Sequence, residues 1–250
     1  MKRIALIRLL VMAGAVALVE VLCRTGAISR FTMLPPSEMA VALWGLARSG
    51  TVTADLLFTV INITVAVAIA VAGGFAIGAF LHGVPRLRAV VSPLLAGYYA
   101  VPIFVFYPLL IVLLGLNRLP LIAIGALAGI VAMIVNTLDG LDRIPRVFVK
   151  TARSHRMNAL STALLVKLPA AAPHLVTGIK LAITYSLIGT IAGEFLLSVA
   201  GIGRHVAIAY NNLDNRTMYA LLLLLLSSVT VVNVVVHEWD RRLRRRWGRP

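Results

Sequence analysis

Cysteine occurs once, at Cys23, and acidic side chains are scarce: 9 Asp and Glu stand against 24 Lys and Arg. A lone cysteine excludes an intramolecular disulfide and any metal site built on several thiolates. It is expected to pack at a helix end, because bulky Leu22 sits where a lipoprotein cleavage site needs a small residue. No G-x-x-x-x-G-K-[ST] stretch occurs, so no phosphate loop for ATP is present. His155, His205 and His237 are isolated from one another, which predicts no metal site, and no cofactor is expected.

Apolar residues make up 60% of the chain and the mean hydropathy is +0.95. Soluble domains are usually about 45–50% apolar. A water-soluble fold of 250 residues has no interior large enough for this excess. The lipid bilayer is the natural solvent. A net charge of +15 raises the question of nucleic acid. The placement of the charge argues against it. Basic residues lie between and beyond long apolar runs, as in loops on the cytoplasmic side of a membrane.

A helix needs about 20 residues to cross the hydrocarbon core. Continuous apolar runs, rather than alternating ones, favour helices over barrel strands. The expected spans are residues 4–22, 56–82, 90–114, 118–138, 173–199 and 217–236. The first follows Met1-Lys2-Arg3, lacks an A-x-A-like site and contains Arg8, so it is expected to remain as an uncleaved span. With the N-terminus inside, 18 of the 24 Lys and Arg fall inside, which predicts both termini cytoplasmic. The fold class is therefore all-α and polytopic, a single domain of about six transmembrane helices over residues 1–250. Between the first two spans, Pro35-Pro36-Ser37-Glu38 predicts the start of an outer-face helix over 37–49, with Ser37 as its cap.

Polar residues inside the spans are candidates for a solute path: Asn62, Tyr98, Tyr99, Asn136, Tyr185, Ser186 and Glu194. Each has a structural alternative, a bond to a neighbouring helix. Glu194 is the only acidic residue between the ends of a span, which makes it a functional candidate. The alternative is that it caps the turn at Gly201 to Gly203. Tyr98 and Tyr99 lie in a run interrupted by Pro93, Pro102 and Pro108, and a kink is best tolerated beside a cavity. Gly74-x-x-x-Gly78 and Gly125-x-x-x-Gly129 predict close helix contacts within the chain.

The basic segment 140–170 is the most informative. Read from its residues alone, it is a loop that sets topology. Its run Lys150-Thr151-Ala152-Arg153-Ser154-His155-Arg156, closing with Val166-Lys167-Leu168-Pro169, resembles the cytoplasmic motif of bacterial ATP-binding-cassette importer permeases. That motif begins E-A-A, has a glycine four residues after the last alanine and ends in apolar-x-Leu-Pro. The flanks resemble one subfamily, the permeases for nitrate, sulfonate, taurine and thiamine-precursor import. Leu34-Pro35-Pro36-Ser37-Glu38 is similar to its outer-loop signature, Pro108-Leu109-Leu110-Ile111 and Gly115 to its P-L-L-I run, and Asn136-Thr137-Leu138-Asp139-Gly140 to its N-T-x-x-G. Gly193-Glu194 and Gly201-Ile202-Gly203 match its A-E…G-L-G, and the similarity covers about residues 32 to 245.

The resemblance implies a permease in a bacterial inner membrane, a non-enzyme forming the path for a small anion or vitamin precursor. It implies three partners: a separate ATPase, a solute-binding protein outside the membrane and a second permease copy or paralogue. Lys150, Thr151, Ala152, Arg153, Ser154, Arg156, Leu168 and Pro169 would then form the ATPase-coupling segment. A short helix over about 144–154 would dock on the ATPase, and Pro169 would break the helix so that motion passes to the fifth span. Two departures stand out: Lys150 replaces the motif glutamate and Arg156 its glycine. They imply either an ATPase with an acidic groove or a second, more orthodox permease in a heterodimer. The competing classes are a secondary transporter or channel and a non-transporting scaffold. The first needs paired membrane carboxylates or repeated halves, and the sequence displays neither.

Overall fold

The computed structural model describes residues 2–246. The side chains of Lys2, Arg3, Arg8 and Arg244 to Arg246, and Arg249 altogether, lie outside the described residues, so the basic ends enter only as sequence. Among the described residues the chain is helical, with no strand. Its helices are α1 (Lys2–Arg24), α2 (Pro36–Ser49), α3 (Thr53–Gly83), α4 (Pro85–Gly97), α5 (Tyr107–Leu114), α6 (Leu119–Asp142), α7 (Arg146–Ser154), α8 (Ala159–Thr162), α9 (Leu168–Leu197), α10 (Ile202–Asn211) and α11 (Asn215–Arg246).

Among the described residues, four stretches are long and apolar enough to cross a membrane: Thr53–Gly83, Leu119–Asp142, Ala159–Leu196 and Asn215–Leu243. At 1.5 Å per residue, α3 alone is about 46 Å long, more than the hydrocarbon thickness of about 30 Å. The molecule is built around α6: 67% of its apolar window is buried, against 22% for α3 and 11% for α11. α3 and α9 flank it through small residues. A Cβ on Gly74 would sit 2.6 Å from Met133 Cβ, and one on Gly129 would sit 2.4 Å from Ser186 Oγ. Gly78 and Gly125 meet Thr137 and Thr190 in the same way. Both glycine pairs therefore pack helices within this chain. In lipid, close approach and dispersion replace the hydrophobic drive that holds soluble helices together.

Three local expectations change. The run expected as one span over 90–114 is split into α4 and α5, joined by two short 3₁₀ turns and bent by 93°. Pro102 forces Val101 into an extended conformation (φ −96°, ψ 121°), which no helix continues. The break expected at Pro169 is absent. Residues 159–196 form one helical rod, and Pro169 sits at the second position of α9. The preceding turn, Ala163–Lys167, is widened to a π-helix, with Leu168 N–H bonded to Ala163 O. Widening gives the proline ring room that a regular α-turn denies it. Finally, Ser37 does not cap α2. Pro36 opens that helix, where a missing N–H is harmless. Ser37 instead gives both its N–H (3.0 Å) and its hydroxyl (2.6 Å) to Glu20 of α1.

Candidate functional site

At the α3 C-terminal end, α6 hands the chain to α7 through Arg143-Ile144-Pro145. Pro145 precedes the first residue of α7 in an extended conformation (φ −58°, ψ 131°). One face of α7 is inward: Ala152 is 2% exposed. Lys150, Thr151, Arg153 and Ser154 are exposed, as are apolar Val147 and Phe148. No acidic residue occurs between Asp142 and Glu194, so the segment presents an unbroken positive field with two apolar anchors.

The end of α7 is closed by paired backbone bonds. Arg156 N–H donates to Arg153 O (2.9 Å) and Met157 N–H to Ala152 O (3.0 Å), the Schellman pattern. That pattern needs a left-handed residue, and Arg156 supplies it at φ +52°. The glycine turn is thus kept without glycine. Leu168 and Pro169 follow on the rod that becomes α9.

The candidate path residues divide into two groups. Tyr98, Tyr99 and Tyr185 are brought together beside the 93° bend. Tyr98 and Tyr99 meet edge to face at 5.5 Å, and Tyr99 lies 4.9 Å from Tyr185 of α9. Tyr98 donates its hydroxyl to Leu127 O on α6 (2.8 Å), and Tyr99 is half exposed. Asn136, partly buried on α6, donates to Ala132 O and packs against Gly178. These four residues border open surface.

Asn62, Ser186 and Glu194 are each 0% exposed. Glu194 lies at the opposite end, between α3, α9 and α10. Its Oε2 accepts from Thr59 Oγ1 (2.7 Å) and from Gly203 N–H (3.2 Å). Thr59 Oγ1 accepts Ile202 N–H (3.0 Å), and Asp55 accepts Gly201 N–H (2.6 Å) while pairing with His205 (2.8 Å). Three successive N–H groups at the start of α10 are therefore held by side chains of α3 and α9. The bond to the Asp55 carboxylate is charge-assisted, a kind worth about 1.5–3 kcal/mol, and the neutral bond to Thr59 is worth about 0.5–1.5 kcal/mol. Gly201 stands at φ +107°, with the Glu194 carboxyl where a Cβ would go.

The partners of these groups are not legible in the sequence. Asp55, Thr59 and His205 complete the Glu194 clasp. Arg88 and Asp142 form a two-bond ion pair (2.8 and 2.6 Å) at the root of α7. Their only sequence signal is a charge at the edge of an apolar run.

A kinked, tyrosine-lined helix beside an exposed basic segment fits a membrane transport subunit, and comparison with known families decides the matter. Residues 69–249 match the family described as binding-protein-dependent transport system inner membrane component. The chain belongs to this family. Relatives of this inner membrane component include a probable ABC transporter permease protein of Haemophilus influenzae, 30% identical over 57% of this chain and 58% of that one. The bicarbonate transport system permease protein CmpB of Synechococcus elongatus is 31% identical over 59% of this chain and 56% of its own length. The matched stretch thus spans under two thirds of either relative. The inner membrane component shares its fold with the MetNI methionine ABC transporter in an inward-facing conformation. The TM-score is 0.62 at 18% identity, covering 80% of this chain and 98% of the other. It is a multi-pass membrane protein of helical permease fold.

Proposed function

We propose that the chain is the permease subunit of an ATP-binding-cassette importer. It spans the bacterial inner membrane about six times with both termini in the cytoplasm. It forms the path for a small solute, is not itself an ATPase and is driven by a separate one. A binding protein delivers the solute from outside, and a second permease copy or paralogue completes the path. The observation that carries this reading is α7: a short helix anchored by Ala152, exposed through Val147, Phe148, Lys150 and Arg153, and closed by a left-handed turn at Arg156. Such a helix is built to seat in a cleft of another protein, and its charge calls for an acidic cleft.

Tyr98, Tyr99, Tyr185 and Asn136 are the part of the path reading that geometry supports, because they border open surface beside a bent helix. The solute class is a small anion or a vitamin precursor, supported by the motif resemblance and, for the anion, by the bicarbonate permease among the relatives. The Lys150 and Arg156 departures leave a heterodimer with a more orthodox partner as the second reading.

The test is co-purification of the ATPase from membranes. Reversing charge at Lys150 and Arg153 (K150E/R153E) is expected to weaken recovery of the ATPase at least about tenfold, a loss of about 1.4 kcal/mol, while the permease still inserts. Undiminished recovery refutes the docking assignment.

A further inference from the structure

Asp142 is the last residue of α6, four positions before α7 begins. Its two carboxylate oxygens accept both terminal guanidinium nitrogens of Arg88, at 2.8 and 2.6 Å. His82 Nδ1, at the end of α3, stands 3.2 Å from the same carboxylate. One acidic side chain thus gathers the ends of α3, α4 and α6 at the root of the coupling segment.

α4 has few other attachments. None of its residues is buried. Val91 and Leu95 rest on Leu81, Ile134 and Leu138. At its far end, Tyr98 in the turn after α4 donates to Leu127 O on α6. Leu127 lies 15 residues before Asp142, about 22 Å along the helix. α4 is therefore pinned to α6 at both ends and lies along it as a strut. The next residue, Tyr99, meets Tyr185 on α9, a different helix.

We infer that Asp142, paired with Arg88, is a positioning residue of the coupling machinery: it makes α4 move with the root of α7, so that a displacement of α7 is delivered to the Tyr99–Tyr185 ring contact. This rests on the reading of α7 as the ATPase-docking helix. A bidentate Arg–carboxylate pair suits the task because it fixes direction as well as distance. The pair biases which α4 placement accompanies each α7 placement, and it supplies no energy itself.

The experiment uses the permease co-expressed with its ATPase and solubilised as a complex. Arg86, exposed in the first turn of α4 beside the basic loop, is replaced by cysteine, and its labelling by a water-soluble maleimide is timed with and without Mg-ATP. The parent chain, whose single Cys23 is 2% exposed, gives the background. A two-state element whose minor form is at most about 10% populated changes labelling by about tenfold when nucleotide inverts it. That response is expected with Arg88 present. Arg88→Gln is expected to reduce it below about twofold while the ATPase still co-purifies. The exchanged pair Arg88→Asp with Asp142→Arg is expected to restore it. A full response in Arg88→Gln, or no recovery in the exchanged pair, overturns the inference and leaves the transport reading intact. If no ATPase co-purifies with the parent chain, the transport reading itself fails and takes the inference with it.

Discussion

Replacing Arg156 by glycine tests the turn that closes α7, where this chain departs from the motif it resembles. Arg156 holds φ +52°, at the left-handed position of the turn that closes α7. An L-residue with a Cβ is disfavoured there by about 1–2 kcal/mol. Among the described residues the Arg156 side chain has no hydrogen bond or ion pair to lose, and it is exposed. Glycine brings an opposing term, since its freer unfolded chain costs about 0.5–1 kcal/mol. Mid-range values give a net gain of about 0.75 kcal/mol for Arg156→Gly. At 1.4 kcal/mol per factor of ten, this corresponds to about two- to fivefold. The assay is hydrogen exchange at the amides of residues 156 and 157, which donate the two closing bonds. Their protection is expected to rise about two- to fivefold in Arg156→Gly and to stay level in Arg156→Ala, which keeps the Cβ. Equal or lower protection in the glycine variant would show that the turn is not strained and that the arithmetic is wrong.

Gly201→Ala is expected to be among the most damaging small changes in the chain. It places a methyl group on the Glu194 carboxyl and holds alanine at φ +107°. Strain of about 1–3 kcal/mol is expected before any loss of the bonds to Gly203 and Ile202, and a detergent melting curve that matches the parent would contradict it. At the start of α11, Asp214 accepts from Thr217 N–H (3.1 Å). Bonds from the Thr217 hydroxyl and N–H hold its carboxyl below the usual carboxylate value. A lowered folded value means that the stabilisation is present above the unfolded value of about 3.9 and is lost as pH falls through the folded one. Exchange protection of residues 215–218, corrected for intrinsic rates, should therefore hold from pH 7 to about 5 and decline below it. Asp214→Ala should lose about 1 kcal/mol of that protection at neutral pH, whereas Asp214→Asn should retain most of it.

Helix content and membrane residence were legible in the sequence because both depend on local quantities: the length of an apolar run and the absence of charge within it. The α7 segment was legible for a different reason, the order and spacing of short motifs. Ala152 could be placed as the anchored residue only through that resemblance. Glu194 was legible as unusual but not as to role, because a carboxyl between the ends of a span is compatible with a path or with a clasp. Its environment is made by Thr59, 135 residues away in the chain.

What the sequence determined by itself is where this chain meets lipid and where it meets water, since transfer free energy is set segment by segment. Only the tertiary structure decided which polar groups are partners. Arg88 and Asp142 are 54 residues apart, and Tyr99 reaches Tyr185 from another helix. The same holds for Pro169, whose fate depended on whether the turn before it could widen. Such pairings follow from the mutual placement of whole helices, which glycine contacts such as Gly74 on Met133 and Gly129 on Ser186 fix at close range. No local rule acting along the chain contains that distance.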